Sequence, residues 1–349
     1  MTKKRYTLWC TSGGDWCEYD VVGESHYDAN IRRLLPVDWD GSGIEIRRDF
    51  ELIPEPENRH DPWAISVRAD NRTVGYIQRA DAPHWAGVVR RVCASGYIPV
   101  VLGRVYAFER PDWESWDGDG DPPKNFGATI QLKLGEPHTA LPLNDPPAAP
   151  YTLLPRSTFV QVTKENEHAE ALLRFVPAGG YGLLIATLHE QATNSGRSVV
   201  EVRLDDERIG QLTPQMSQRF LPLIQHLSGR GILSACWADI TGSAVAAEVR
   251  ISAIKANEAT PDVLDGPAVE VQRLIAEQDV HAYQLGGDLY RVADGRSRGE
   301  RARPSEPAAT PPPLPPSGWY PDPRFPQYLR YWNGATWTEH TAPNPRSTP

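Results

Sequence analysis

Cysteine is scarce in this chain of 349 residues: four in all, Cys10, Cys17, Cys93 and Cys236, with no C-x-x-C pair. That spacing argues against a zinc site and against a disulfide framework, so the four read as buried free thiols. Long apolar runs are missing too. No stretch approaches the roughly 18 residues of a membrane-spanning helix. The basic start Met1-Thr2-Lys3-Lys4-Arg5 is not followed by the apolar core of a signal peptide. The chain therefore reads as cytoplasmic, with no membrane partner. Positive charge is in deficit: 36 Lys and Arg stand against 45 Asp and Glu, a net charge of -9. Phosphate neutralisation drives sequence-independent DNA binding, so any contact with nucleic acid must be local and pocket-like.

Catalytic signatures are absent as well. There is no G-x-x-x-x-G-K-[ST], H-E-x-x-H or G-x-S-x-G, and the nine histidines show no metal-ligand spacing. The acids of "DGDGD", Asp117 to Asp121, alternate as in calcium loops, but Pro122 and Ala128 stand where that pattern needs Gly and Glu. "PAGGYG", Pro177 to Gly182, reads as a turn before a strand. These readings give no metal, no cofactor and a non-enzymatic protein.

What the chain does have is proline and an internal repeat. "LNDPPAAP", Leu143 to Pro150, marks a short linker, and Arg303 to Pro316 holds seven prolines in fourteen residues, an extended spacer without a packed core. Between these markers two blocks resemble each other at a shift of 135. "ISVRADNRTVGYI" from Ile65 aligns with "VEVRLDDERIGQL" from Val200, and the register holds as far as Gly96 and Gly231. Each block predicts a strand, a polar hairpin turn, a second strand ending near Gly, a helix and a further strand. The first helix carries Trp85, Val88, Val89, Val92 and Cys93 at helical spacing, and the second Met216, Phe220, Ile224 and Leu227. The last strands align at a shift of 119, so block one holds 16 extra residues around "RPDWESWDGDGDPPKNFG".

Three ordered motifs lie in block one: "VVGESHY", Val21 to Tyr27; "ELIPEPENRHDPWAISV", Glu51 to Val67; and "RTVGYIQRADA", Arg72 to Ala82. Together they resemble the HIRAN domain, over roughly residues 17–136. The resemblance implies a small, distorted, mostly β barrel related to OB folds. It also implies capture of a single-stranded DNA 3′ end in a pocket. On that resemblance His60 stacks on a base and Asp61 accepts a hydrogen bond from the terminal 3′-hydroxyl. Asn58 bonds bases or holds the loop, and His26 offers a second stacking surface. Tyr27, which ends the first motif, joins the set, and Tyr76 and Arg79 meet phosphates. Ser25 stands where a DNA-binding relative carries arginine. A plainer reading of Asn58 and Asp61 is turn chemistry before a strand. Block two replaces Asn58, His60 and Asp61 by Thr193, Ser195 and Gly196.

The tail, "SGWYPDPRFPQYLRYWNGATWTEHT", resembles a short domain of unknown function common in actinobacterial proteins. It predicts a three-stranded sheet whose core is Trp319, Tyr331, Trp332 and Trp337, with a hairpin turn at Asn333-Gly334. Such aromatic mini-sheets often bind extended peptides, so a protein partner through this module is expected.

The resulting expectation is a mainly β protein with short helices (α+β): two tandem OB-like barrels of HIRAN type, plus the Trp-rich module on a Pro-rich linker. The domains are 17–136, a linker at 137–150, a second copy lacking the polar motif at 151–256, a partly helical connector at 257–300, the Pro-rich disordered linker at 301–316 and the small module at 317–341. Helical spacing through Val269, Leu274 and Ile275 marks the connector helix, and Arg296 to Pro304 is a basic run. Two functions compete. One is recognition of single-stranded DNA 3′ ends in repair or genome maintenance, which predicts a local positive surface near Arg79, Arg90 and Arg91. The other is a protein–protein scaffold without DNA binding. It is favoured by residues 18–135, where 14 Lys and Arg face 20 Asp and Glu, a net of -6.

Overall fold

Alternating apolar side chains and left-handed turns build the first sheet from β1 (Arg5–Thr7), β2 (Tyr19–Asp20), β3 (Ile44–Pro54), β4 (Ile65–Ala69), β5 (Arg72–Tyr76), β6 (Ile98–Pro111) and β7 (Lys124–Leu132). Two helices accompany it, α1 (Asp28–Arg32) and α2 (Ala82–Ala94). This is a computed structural model; it describes residues 4–10 and 16–286 except 114, 117, 119–120, 194–195 and 244, together with strand residues 318–321, 328–332 and 337–343. The chain divides into two compact units, Met1–Asp294 and Gly295–Pro349.

The strand order is β2-β7-β6-β3-β4-β5, with β1 parallel to β6. The sheet curls until its edges meet. Val22, just after β2, pairs with Tyr76 at the end of β5, through N–H···O distances of 3.0 and 2.9 Å in the two directions. Asp70 and Asn71 join β4 to β5 with φ of 49° and 61°, the two positive values that a tight hairpin turn needs. Phe50, Leu52, Ile65, Val67, Val105 and Ile130 fill the inside, and α2 closes it with Trp85, Val89, Val92 and Cys93.

The second sheet repeats this plan. Its strands are β8 (Tyr151–Leu153), β9 (Phe159–Gln161), β10 (Tyr181–Ala192), β11 (Ser198–Leu204), β12 (Glu207–Gln211), β13 (Leu233–Gly242) and β14 (Ala247–Ser252), with α3 (Ala169–Leu173) and α4 (Pro214–Gly229). The order β12-β11-β10-β13-β14-β9, with β8 parallel to β13, is the first topology over again. Thr163 pairs with Gln211 where Val22 pairs with Tyr76. Asp205 and Asp206, with φ of 48° and 63°, repeat the hairpin turn. Phe220, Ile224 and Leu227 of α4 are buried as expected, and Met216 is partly buried. The β6–β7 hairpin of block one is longer than its β13–β14 counterpart, with pairing that reaches Pro111 and Lys124. All four cysteines are buried.

The connector is helical at α5 (Pro261–Asp265), but not where the spacing through Val269, Leu274 and Ile275 suits a helix. After α5 residues 266–286 contain no helix; they run as an irregular, extended strap. Of Val269, Leu274 and Ile275 only Leu274 is buried; Val269 and Ile275 are exposed, and their backbone groups bond other elements. The 137–150 linker is tied down as well: Asn144 exchanges two 2.9 Å hydrogen bonds with the backbone of Ile185. The second unit holds β15 (Gly318–Pro321), β16 (Tyr328–Trp332) and β17 (Trp337–Pro343) in one antiparallel sheet of that order. The basic run, the Pro-rich stretch 301–316, the Asn333-Gly334 turn and the side chains of Trp319, Tyr331, Trp332 and Trp337 lie outside the described residues. Among the described residues no helix is long and apolar enough to cross a membrane.

Candidate nucleic-acid interface

The second motif is the end of β3, a loop over 55–64 and the start of β4. Glu55 N–H donates to the Ala64 carbonyl at 2.8 Å and closes the loop. Asn58 Oδ1 accepts the backbone N–H groups of His60 at 3.0 Å and Asp61 at 3.4 Å, and Asp61 Oδ1 accepts Trp63 N–H at 2.9 Å. A short polar side chain that bonds backbone two or three residues on replaces a missing ladder partner. Asn58 therefore holds the loop; its oxygen faces backbone, not solvent.

Glu55, absent from the set of sequence candidates, is the hub. Its carboxylate accepts Arg68 Nη2 at 3.1 Å, the Tyr76 hydroxyl at 3.2 Å and Asn58 Nδ2 at 3.2 Å. The Arg68 side chain is only 2% exposed, and a buried guanidinium needs such a counter-charge. The only hint was Arg68 at a position alternation assigns to solvent; in fact both faces of β4 are buried. The Tyr76 ring lies 6.1 Å from that of Tyr27. Burial, a hydrogen bond with Tyr27 and the Glu55 charge push the Tyr76 hydroxyl far above the usual phenol range, so it stays protonated.

The structure thus joins Tyr27, Tyr76, Asn58 and Asp61 through Glu55 and the loop backbone. The second Asp61 oxygen faces Arg79 Nε at 3.8 Å, and the Arg79 side chain is 83% exposed. His60 is exposed beside Asp61, and His26 is exposed on the 3-10 turn Glu24–His26, next to Tyr27 in the chain. What this arrangement offers a ligand is an acceptor, an exposed cation and flat rings at the surface.

The expected positive surface is narrower than Arg79, Arg90 and Arg91. Arg90 is 6% exposed; it donates to the Pro62 carbonyl at 2.8 Å and the Val280 carbonyl at 3.4 Å, and lies 5.0 Å over the Trp63 ring. Arg91 Nε donates to the Ile275 carbonyl at 2.8 Å. Of the three, Arg79 is the one whose side chain is largely exposed, with only the Asp61 carboxylate beside it at 3.8 Å. In the second barrel Thr193 closes the matching loop by bonding Arg197 from both N–H and hydroxyl, at 2.8 and 2.6 Å. Ser195 lies outside the described residues. A cavity of 730 Å³, lined by Trp16, Tyr19, Asp81, His84 and His138 among others, contains none of the seven predicted residues. Among the described residues no group of three or more His, Cys, Asp or Glu is placed to hold a metal ion.

Residues 317–349 match the model of a family described as a protein of unknown function, DUF2510, in line with the resemblance read from the tail. No HIRAN family model matches the chain. No curated protein and no solved structure matches it either.

Proposed function

We propose that the first barrel is a non-enzymatic module that recognises the 3′ end of single-stranded DNA, in the maintenance of DNA ends. The observation that carries this reading is the Asp61 carboxylate. One oxygen is fixed by Trp63 N–H, while the other faces an exposed arginine beside an exposed His60 ring. A free 3′-hydroxyl donates to that second oxygen, Arg79 meets the preceding phosphate, and His60 stacks on a base without reading sequence. A terminal phosphate is repelled by the same carboxylate. The resemblance to the HIRAN domain supports the same roles. The second barrel, which lacks the polar set, serves as framework, and the C-terminal module binds a protein partner.

The test is fluorescence anisotropy of the full chain with short single strands at low and moderate salt. Binding should favour a 3′-hydroxyl over a 3′-phosphate, weaken with salt, and fall at least tenfold in Asp61→Ala and His60→Ala. Equal binding of the two ends would remove Asp61 from the reading. No binding at low salt leaves the scaffold reading, which the engagement of Arg90 and Arg91 by the chain's own carbonyls favours.

A further inference from the structure

The strap over 267–286 begins on the second barrel and finishes on the first. Leu153 N–H donates to the Val269 carbonyl at 2.7 Å, and the Tyr151 hydroxyl accepts Val271 N–H at 2.8 Å. Leu274 then enters the first barrel's core. Ile275 N–H donates to Ser95 Oγ at 2.9 Å, at the end of α2. The strap then reaches the candidate loop, where the His281 ring lies 5.1 Å from that of Trp63. Its Val280 and Ile275 carbonyls accept from Arg90 and Arg91 of α2, and Arg90 also donates to the Pro62 carbonyl of that loop.

Two observations favour a displaceable covering. The first is the hollow in the second barrel. Glu190, Ser198, Gln225, Ser228 and Ile232 stand, at the shift of 135, where Glu55, Trp63, Arg90, Cys93 and Tyr97 stand in the first. There they line an open cavity of 520 Å³. The same fold holds its shape with that hollow unfilled. The second is Arg90 itself. Its Nε is buried with no hydrogen-bond partner among the described residues. A buried guanidinium N–H without an acceptor is unfavourable, and a neutral carbonyl is a weaker partner for a guanidinium than a phosphate oxygen. The covered state leaves the arginine poorly satisfied.

We propose that residues 267–286 are an intramolecular cover over a phosphate-binding face, and that single-stranded DNA displaces it, its phosphates replacing the Val280 and Ile275 carbonyls on Arg90 and Arg91. This rests on the end-recognition reading above. It makes the affinity of the first barrel depend on how firmly the strap is held.

The experiment uses the full chain and a 3′-hydroxyl oligonucleotide. Ser95→Cys with Ile275→Cys locks the strap when oxidised, and the two single cysteine variants, oxidised alike, control for pairing with the four buried native cysteines. Oxidation should weaken binding at least tenfold and reduction should restore it. Leu274→Ser, which loosens the anchor, should tighten binding several-fold. Hydrogen exchange on the unaltered chain provides a readout that needs no variant: amides of 269–283 should exchange faster when the oligonucleotide is added. Unchanged affinity in the locked form, with unchanged exchange, overturns the cover while binding that still needs Asp61 keeps the end-recognition reading. No binding by the wild type, the reduced form or Leu274→Ser overturns both.

Discussion

Glu24 and Glu165 are the clearest pair at the scale of single residues. Each sits at the start of a 3-10 turn. Glu24 Oε1 accepts the Ile130 N–H at 3.3 Å, and Glu165 Oε1 accepts the Val249 N–H at 2.7 Å. The two barrels thus use one carboxylate for the same task. Burial raises the pKa of both above the usual carboxylate value. Their folded forms hold protons longer than the unfolded chain, so the stability they contribute is full below the ordinary Glu range and is lost as pH rises through the raised values. His189 behaves in the opposite way. Burial, with the nearby Arg203 charge, depresses its pKa below the usual imidazole value of about 6.5. The unfolded chain then binds the extra proton, so stability falls as pH drops through that value. The expected outcome is a urea midpoint that declines from pH 7.5 to pH 5.5 in the wild type and declines less in His189→Gln. Equal slopes in the two proteins would show that His189 does not carry the dependence.

The element that decides the barrel is the closing bridge. Val21 and Val22 pass directly over Gly75, and a Cβ there would overlap Val21 Cγ1 and sit 3.0 Å from the Val22 carbonyl oxygen. Gly210 repeats the arrangement, 2.7 Å from the Thr163 carbonyl oxygen. The glycines of "VGYI" and "IGQL" are therefore there so that two backbones can approach and close the sheet, not to make a turn. Gly75→Ala is expected to destabilise the chain by about 2 kcal/mol or more through overpacking, and to open the Val22–Tyr76 edge. The unfolding free energy measures the first effect. Faster exchange of the Val22 and Tyr76 amides, ahead of those of β3 and β6, measures the second. The same closure brings Tyr76 to Tyr27 and Glu55, so the candidate site depends on it.

Across the first compact unit, the two barrels are joined by more than their linker. Trp9, just after β1 of the first barrel, and Trp237, on β13 of the second, lie nearly parallel with ring centroids 6.1 Å apart. The Arg156 guanidinium sits 3.0 Å from the Trp9 centroid and 5.0 Å from that of Trp237. Burial lowers the Arg156 pKa to about 10, yet it remains charged at neutral pH. A cation held against two indoles out of water contributes about 2 kcal/mol. With the strap and Asn144 spanning the same boundary, the two barrels are expected to unfold together. Calorimetry should show one transition for them in the wild type and two in Arg156→Ala. A single, merely shifted transition in the variant would mean that the strap suffices to couple them.

The repeat, the helix faces and the three-stranded tail were legible because each depends on local spacing: period two, period 3.6 and a constant shift between blocks all survive in a linear string. The polar loop was legible as chemistry but open as to role, since Asn58 and Asp61 read equally as ligands and as turn makers. Tertiary contacts give the Asn58 oxygen and one Asp61 oxygen to backbone N–H groups and set the other Asp61 oxygen toward Arg79. Glu55 was not legible at all, because its importance comes from Arg68 and Tyr76, which only sheet closure brings to it. The strap was misread for a related reason. Its apolar spacing suits a helix, but a helix forms only if its backbone has no better partners. Here β8, Ser95 and the α2 arginines supply acceptors and donors from distant parts of the chain. Local periodicity set which side chains face inward; which backbone meets which, and so what covers the candidate site, was settled only by the packing of the two barrels.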